Sequence, residues 1–203
     1  MSETRMPTQK RSIEKRKKII EKGFELMCEN GFFNTNTSDI AKFTGVSTGI
    51  IYQYFNDKKE IFIEGVKSYS DNIMFPILDI LKNNKVHLDN LEELLDEMLD
   101  EFIKRHTMSK SSHEQMIAMS HLDSDIADIF HDKEVVATEK IVEVLSENGI
   151  RSAGLFEKVH IVIGIVENYC HEVVYHRHSK IDYDIMKNEV IRIIVNILKG
   201  QSM

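Results

Sequence analysis

The densest set of side chains able to do chemistry lies near the end of the chain, in "ENYCHEVVYHRH", residues 167–178. On a helix Glu167 and His171 are i, i+4 neighbours, as are Glu172 and His176, and His160 lies seven residues before Glu167 on a similar face. Imidazole with carboxylate is a donor set for zinc or another transition metal. The same groups could line an effector pocket or make ordinary helix-surface hydrogen bonds. His171-Glu172 is followed by Val-Val-Tyr-His, so the metalloprotease spacing fails by one residue. No Ser/His/Asp grouping, glycine-rich phosphate loop or paired-carboxylate motif rises above chance. The expectation is therefore no catalytic residue, no metal and no cofactor, with Glu167 and His171 kept as candidate effector-binding residues.

A second kind of chemistry is written at the other end, in "TSDIAKFTGVSTGIIYQYF", Thr37 to Phe55. Two short helical patterns flank a glycine, and three aromatics fall in the last four residues. Ala41 sits where two helices cross closely, and Gly45 supplies the positive φ of a tight turn. Ile40, Val46, Ile51 and Phe55 form a small core that fixes the crossing. This is helix-turn-helix logic, in which the second helix is held proud so that its leading residues reach base edges in the major groove. That helix carries no guanidinium or ammonium to pair with guanine. Gln53 remains for adenine and Ile50 for a thymine methyl, which predicts an AT-leaning operator.

Charge distribution agrees. The formal net charge is −7, an odd value for a binder of polyanions, but residues 1–60 carry 11 Lys/Arg against 8 Asp/Glu and the remainder 15 against 25. The local field, not the total, steers a polyanion, so a nucleic-acid-facing front sits on an acidic body. All nine histidines belong to that body.

The elements that must position these residues are all helical. A 42% hydrophobic and 29% charged composition is that of a soluble globular chain, and two prolines and nine glycines leave long uninterrupted helical patterns. Helices are expected from Ser12 to a left-handed Gly31, from Thr37 as cap to about Thr44, and from Ser47 as cap to Phe55. "DKKE" at 57–60 reads as a capping box opening a long helix that Pro76 should kink or break near Phe75. Further helices are expected at about 89–106, 112–121, 124–148, 154–177 and 183–199. Two distant cysteines, no signal-like start and no run of about 18 apolar residues point to the cytoplasm and away from a membrane.

"TSDIAKFTGVSTGIIYQYFNDKKEIF", preceded by "IIEKGFELMCENGFFNTNT", resembles the DNA-binding domain of the TetR family of transcriptional repressors. The resemblance covers about residues 13–65. It implies an all-α fold of about nine helices: a flexible basic arm at 1–11, a three-helix helix-turn-helix domain at 12–58, and a helical effector-binding and dimerisation bundle at 59–203. Carried over by position, Thr37 and Ser38 match phosphate contacts. Ser47, Thr48, Gly49 and Ile50 match the turn and leading edge of the recognition helix. Tyr52, Gln53 and Tyr54 match its groove-and-backbone face, and Lys58 a phosphate-binding lysine. Thr48 stands where many members carry Lys or Arg, and Ile50 replaces a frequent Thr.

The resemblance also implies a homodimer through the last two helices, bound to a double-stranded palindromic operator and released by a small-molecule effector of unknown identity. Ile161, Ile165, Ile191, Ile194, Val195 and Leu198 give the last two helices more apolar surface than a peripheral helix needs, which suits such an interface. Gly164 would allow close helix approach there. Met98, Phe102, Met116, Met119 and Phe130 could surround an effector cavity, or be plain core. The long helix through Pro76 is the expected lever between the halves. Two rivals stay open at this level: an all-α metal- or ligand-binding enzyme that kept the helix-turn-helix as scaffold, and an adaptor that binds a protein partner through its first helices.

Overall fold

The computed structural model describes residues 9–200, with the side chains at 73–76 outside the description. The described residues form nine helices: α1 Lys10–Asn30, α2 Thr37–Thr44, α3 Thr48–Tyr54, α4 Lys58–Asn83, α5 Leu91–Arg105, α6 Lys110–Leu122, α7 Ser124–Glu147, α8 Leu155–Tyr175 and α9 Tyr183–Lys199. Each expected helix is present, and most ends fall within two residues of their expected positions. Residues 1–8 of the expected arm lie outside the described residues, while Lys10 and Arg11 already belong to α1.

Two compact units result. One combines the chain up to Ser70 with Met108–Phe130; the other combines Asp71–Thr107 with the chain from His131 onward. In the first unit α1 packs on α2 and α6, and α2 on α3. Its core holds Ile19, Phe24, Met27, Ile40, Ile51, Phe55, Ile61 and Phe62, closed by Met116, Met119 and Ile126, with Phe130 packed against it. The three middle-chain residues Met116, Met119 and Phe130 are thus core of the N-terminal unit, not walls of a cavity in the body. Once α6 docks on α1, its methionine stripe is consumed there.

Close helix approach is carried by two glycines. A Cβ on Gly23 would stand 2.8 Å from Ile61 Cγ2, and one on Gly65 would stand 2.3 Å from Phe24 Cγ. Residues at these positions must be small for α1 and α4 to meet at all.

In the second unit α8 packs on α9, and both pack on α5. Ile191, Ile194, Val195 and Leu198 are buried in that contact. Within the chain this stripe lies between α9 and the two helices it packs on, α5 and α8. Ile161 is 56% exposed and Ile165 half-buried. Gly164 faces open space, with nothing within 4 Å of a Cβ built on it, so it permits no close approach within the chain.

Of the kink or break expected at Pro76, the break does not occur, since α4 continues as one helix to Asn83. Proline removes one hydrogen bond, but Ile77, Leu78 and Leu81 beyond it are buried and hold the last turns. At the end of α1, Gly31 has a positive φ of 90° with ψ 138°, so it is not left-handed helical. No helix among the described residues is long and apolar enough to cross a membrane.

Candidate nucleic-acid interface

The corner between α2 and α3 is set by capping. Asn36, not Thr37, is the N-cap of α2: its Oδ1 accepts from Ser38 N at 2.9 Å and Asp39 N at 3.0 Å, while Asp39 Oδ2 accepts from Asn36 N at 3.0 Å. The helix ends at Gly45, left-handed at φ 74°, where Val46 N donates to Ala41 O at 2.9 Å and Gly45 N to Lys42 O at 3.3 Å. That paired closure is the Schellman arrangement, and the glycine carries it without a Cβ penalty. Ser47 occupies the N-cap position of α3, but its side chain makes no cap hydrogen bond.

Behind the corner, Ile40, Ala41, Ile51 and Phe55 are buried and Val46 partly so. In front, Ser38, Ser47, Thr48, Gly49, Tyr52 and Gln53 are exposed, with Thr37, Ile50 and Tyr54 intermediate. Freed from its cap by Asn36, Thr37 Oγ1 pairs with Tyr52 OH at 2.9 Å. This bond ties the start of α2 to the middle of α3 and sets two hydroxyls side by side on the surface. Only Ser47 Oγ, at 3.9 Å, lies near a Cβ built on Gly49, so the leading edge of α3 is flat and open. Tyr54 leans on Phe55 edge to face, and Ile50 packs partly against the core.

Two cations have duties that the sequence did not show. Arg16 lies over the Phe55 ring at 4.9 Å and pairs with Glu64 at 3.3 Å; among its neighbours Lys15, Lys17 and Lys18, which are exposed, it alone faces inward. Lys58 donates to Phe32 O at 2.6 Å and Thr35 O at 2.7 Å, with its ammonium 4.4 Å from the centre of the Phe32 ring. Burial pushes its pKa below the ordinary lysine value. Two of its three donors clamp the α1–α2 loop. Lys58→Met is therefore expected to lower the stability of the N-terminal unit by about 1.5–3 kcal/mol, read by thermal unfolding. Unchanged melting with a shallower salt dependence of DNA affinity would return Lys58 to a phosphate-contacting role.

The capping box at 57–60 is half as expected. Asp57 Oδ1 accepts from Glu60 N at 3.0 Å, but the Glu60 carboxylate reaches back one residue further, to Asn56 N at 2.8 Å and Asn56 Nδ2 at 2.6 Å.

In the C-terminal unit a narrow apolar cavity is walled by residues of α4, α5, α7, α8 and α9, among them Leu81, Met98, Phe102, Leu145, Val162 and Glu167. Its empty space is ≈ 690 Å³ counted with the open mouth, of which ≈ 70 Å³ admits the centre of a water molecule. Burial, and then the Glu134 carboxylate, push the Glu167 carboxyl up to about 7. His171 is not on this wall. It stands 5.2 Å from the His106 ring and 6.0 Å from Tyr175, and burial with two neighbouring histidines pushes its pKa down to about 4. His106 Nδ1 is 2.7 Å from Phe102 O. Glu172 accepts from Tyr183 OH at 3.0 Å and lies 3.4 Å from His178 Nε2, which ties the α8–α9 connection. Among the described residues no three His, Cys, Asp or Glu side chains come together to hold a metal ion.

Residues 19–64 match the family model described as bacterial regulatory proteins, tetR family. Those residues form a DNA-binding domain of the TetR type.

Among curated TetR-type relatives, the chain is 41% identical over 58 residues to the HTH-type transcriptional regulator HbdR of Aromatoleum sp. (strain CIB), a match covering 29% of this chain and 25% of that protein. It is 28% identical over 89 residues to the biofilm operon icaADBC HTH-type negative transcriptional regulator IcaR of Staphylococcus aureus (strain Newman), covering 44% and 48%. The match thus spans less than half of each of these relatives. A crystal structure from Syntrophomonas wolfei, assigned as a TetR-family transcriptional regulator, superposes with a TM-score of 0.70 over 94% of this chain and 98% of that one, at 19% identity; at that identity the likeness is one of fold. The family matched and these relatives are transcriptional regulators, a class without enzymatic activity. The exposed cap Asn36 was legible as N-x-x-D before an apolar run, whereas the inward-facing Arg16 carried no signal apart from its basic neighbours.

Proposed function

We propose that this chain is a homodimeric TetR-family transcriptional repressor that binds a palindromic operator and leaves it when a small molecule enters the C-terminal unit. The observation that carries the reading is the open front of the α2–α3 corner, with the Thr37–Tyr52 hydroxyl pair beside the flat edge at Ser47, Thr48 and Gly49. In this reading Thr37, Ser38 and Tyr52 hold backbone phosphate and set register, while Ile50, Gln53 and Tyr54 face the groove. Lys10, Arg11, Lys15, Lys17 and Lys18, all exposed on the first turns of α1, extend the phosphate-facing charge. Such contacts make affinity fall steeply with salt. The setting is the cytoplasm, where the operator is.

Gln53→Ala is expected to cost about 1–3 kcal/mol at one operator position and to relax discrimination there. The check is affinity across single-base operator variants; a uniform fall over all of them would remove the base-reading role. Selection of bound duplexes from a random library at near-physiological salt tests the whole reading. A two-fold-symmetric site with half-sites about 34–36 Å apart, or a near multiple, supports it; no recovery from folded protein sinks it.

For the dimer, the exposed strip of α8 and α9 replaces the buried stripe. Ile161, Ile165, Ile185 and Ile193 remain at the surface or partly so, and Gly164 between the first two leaves room for a partner helix. An isologous four-helix contact would cover them. Ile161→Asp is expected to turn a dimer into a monomer by sedimentation, with loss of tight binding to a two-fold site; a dimer that persists would place the interface elsewhere. Effector release then follows from linkage, because the small molecule shifts the spacing of two recognition helices only by its differential affinity for the two states. The helix α4, which belongs to both units, is the lever in this reading.

A further inference from the structure

The cavity of the C-terminal unit has a lopsided chemistry. Its wall is aliphatic apart from Phe102, Met98 and a single ionisable residue, Glu167. Among the described residues no lysine, arginine or histidine stands on it. Among the described residues, α4, α5 and α9 contribute apolar side chains alone, and α7 contributes Ile141 and Leu145. The charge that acts on Glu167 comes from Glu134, of the same sign, and its chain neighbour Cys170 is a thiol that burial holds neutral. Among the described residues Glu167 forms neither a hydrogen bond nor an ion pair. The space is also small, ≈ 70 Å³.

We infer that this cavity takes a slim, unbranched apolar molecule ending in a protonated amine, with the ammonium on Glu167 and the alkyl chain along the aliphatic wall. The inference deepens the effector-release reading above and rests on it only for the link to DNA. A carboxylate ligand of the same shape would meet the Glu167 carboxyl, itself under the like charge of Glu134, with no cation among the described wall residues to neutralise it, and burying unpaired like charges is costly. An ammonium supplies the partner that Glu167 lacks. Near neutral pH the carboxyl is partly protonated, so the entering ammonium displaces that proton: R-NH3+ and Glu-COOH give the R-NH3+/Glu-COO− pair and one H+ released to water. Above about pH 7 the carboxyl is already ionised and no proton is released. Affinity should therefore climb with pH up to about 7 and then level, since binding favours the deprotonated form.

The test is calorimetric titration of the full chain, without DNA, with n-octylamine, octanoate and octan-1-ol at pH 6, 7 and 8. The expected result is one octylamine per chain, bound at least about tenfold more tightly than octanoate at pH 8. Its affinity should fall about fivefold from pH 7 to pH 6, as one-proton linkage requires. Glu167→Gln should erase both the preference and the pH dependence, Glu167→Asp should keep the preference, and Val162→Phe should narrow the cavity and abolish binding of all three. Octanoate binding as tightly as the amine, a preference that survives Glu167→Gln, amine binding untouched by Val162→Phe, or no binding at all would each overturn the inference. Displacement of operator DNA is read separately. Octylamine that binds as described but releases no DNA supports the cavity assignment and overturns its link to repression.

Discussion

Gly65→Ala is expected to destabilise the N-terminal unit by about 1–3 kcal/mol, and by more if the α1–α4 contact cannot relax. Ordinary helix propensity argues the other way, since alanine inside a helix is worth about 1 kcal/mol over glycine. Sterics decide the sign. The added methyl would stand 2.3 Å from Phe24 Cγ, 2.4 Å from its Cβ and 2.6 Å from Cδ2. These atoms lie at the root of a ring that cannot swing aside, because Phe24 is buried against Phe62 at 5.2 Å between ring centres. Either α1 and α4 separate or the ring leaves its rotamer. Thermal unfolding of Gly65→Ala gives the loss, and the double variant with Phe24→Leu should recover part of it, as expected of side chains in direct contact. Gly49→Ala is the control: there propensity is unopposed, so the fold should hold while operator affinity reports the open edge of α3. A Gly65→Ala protein as stable as the parent would mean that α1 and α4 do not approach this closely.

Glu167→Gln is expected to stabilise the protein above neutral pH, by roughly 1–3 kcal/mol after discounting for its incomplete burial. The folded carboxyl titrates near 7 because burial disfavours its charge and Glu134 repels it. In the unfolded chain it titrates near its ordinary value of 4.5. Between those two values the folded state holds a proton that the unfolded chain gives up, so stability falls as pH rises through the window. It is fully present below about 4.5 and lost by about 7. Glutamine keeps the shape and removes the charge. Melting curves of parent and variant should thus coincide near pH 4.5 and separate with pH, the variant melting higher at pH 8. Equal melting temperatures at pH 8 would show that water reaches the carboxylate freely. The same substitution should abolish octylamine preference, so a residue that costs stability in the empty protein is the one that gives its cavity a chemistry.

Much of the architecture was legible because helices announce themselves locally. Nine apolar periodicities, punctuated by Gly31, Gly45 and Gly149, mapped onto nine helices, and the α2–α3 corner followed from Ala41, Gly45, Ile51 and Phe55 in one short stretch. What the sequence by itself determined was thus the elements, the turn chemistry and the polarity of the front surface. What only the tertiary structure decided was which partner each apolar stripe meets. Met116, Met119 and Phe130 read as core before cavity, and α6 lying on α1 made them core of the N-terminal unit. The contacts that Ile191, Ile194, Val195 and Leu198 make within the chain came only with α9 lying on α5 and α8. Lys58 read as a phosphate-binding lysine and Arg16 as one of a basic run; that loop carbonyls and the Phe55 ring receive them came only with the fold. Periodicity records that a helix face is apolar, or that a cation is near; the identity of the surface opposite depends on residues tens of positions away, which no local pattern encodes.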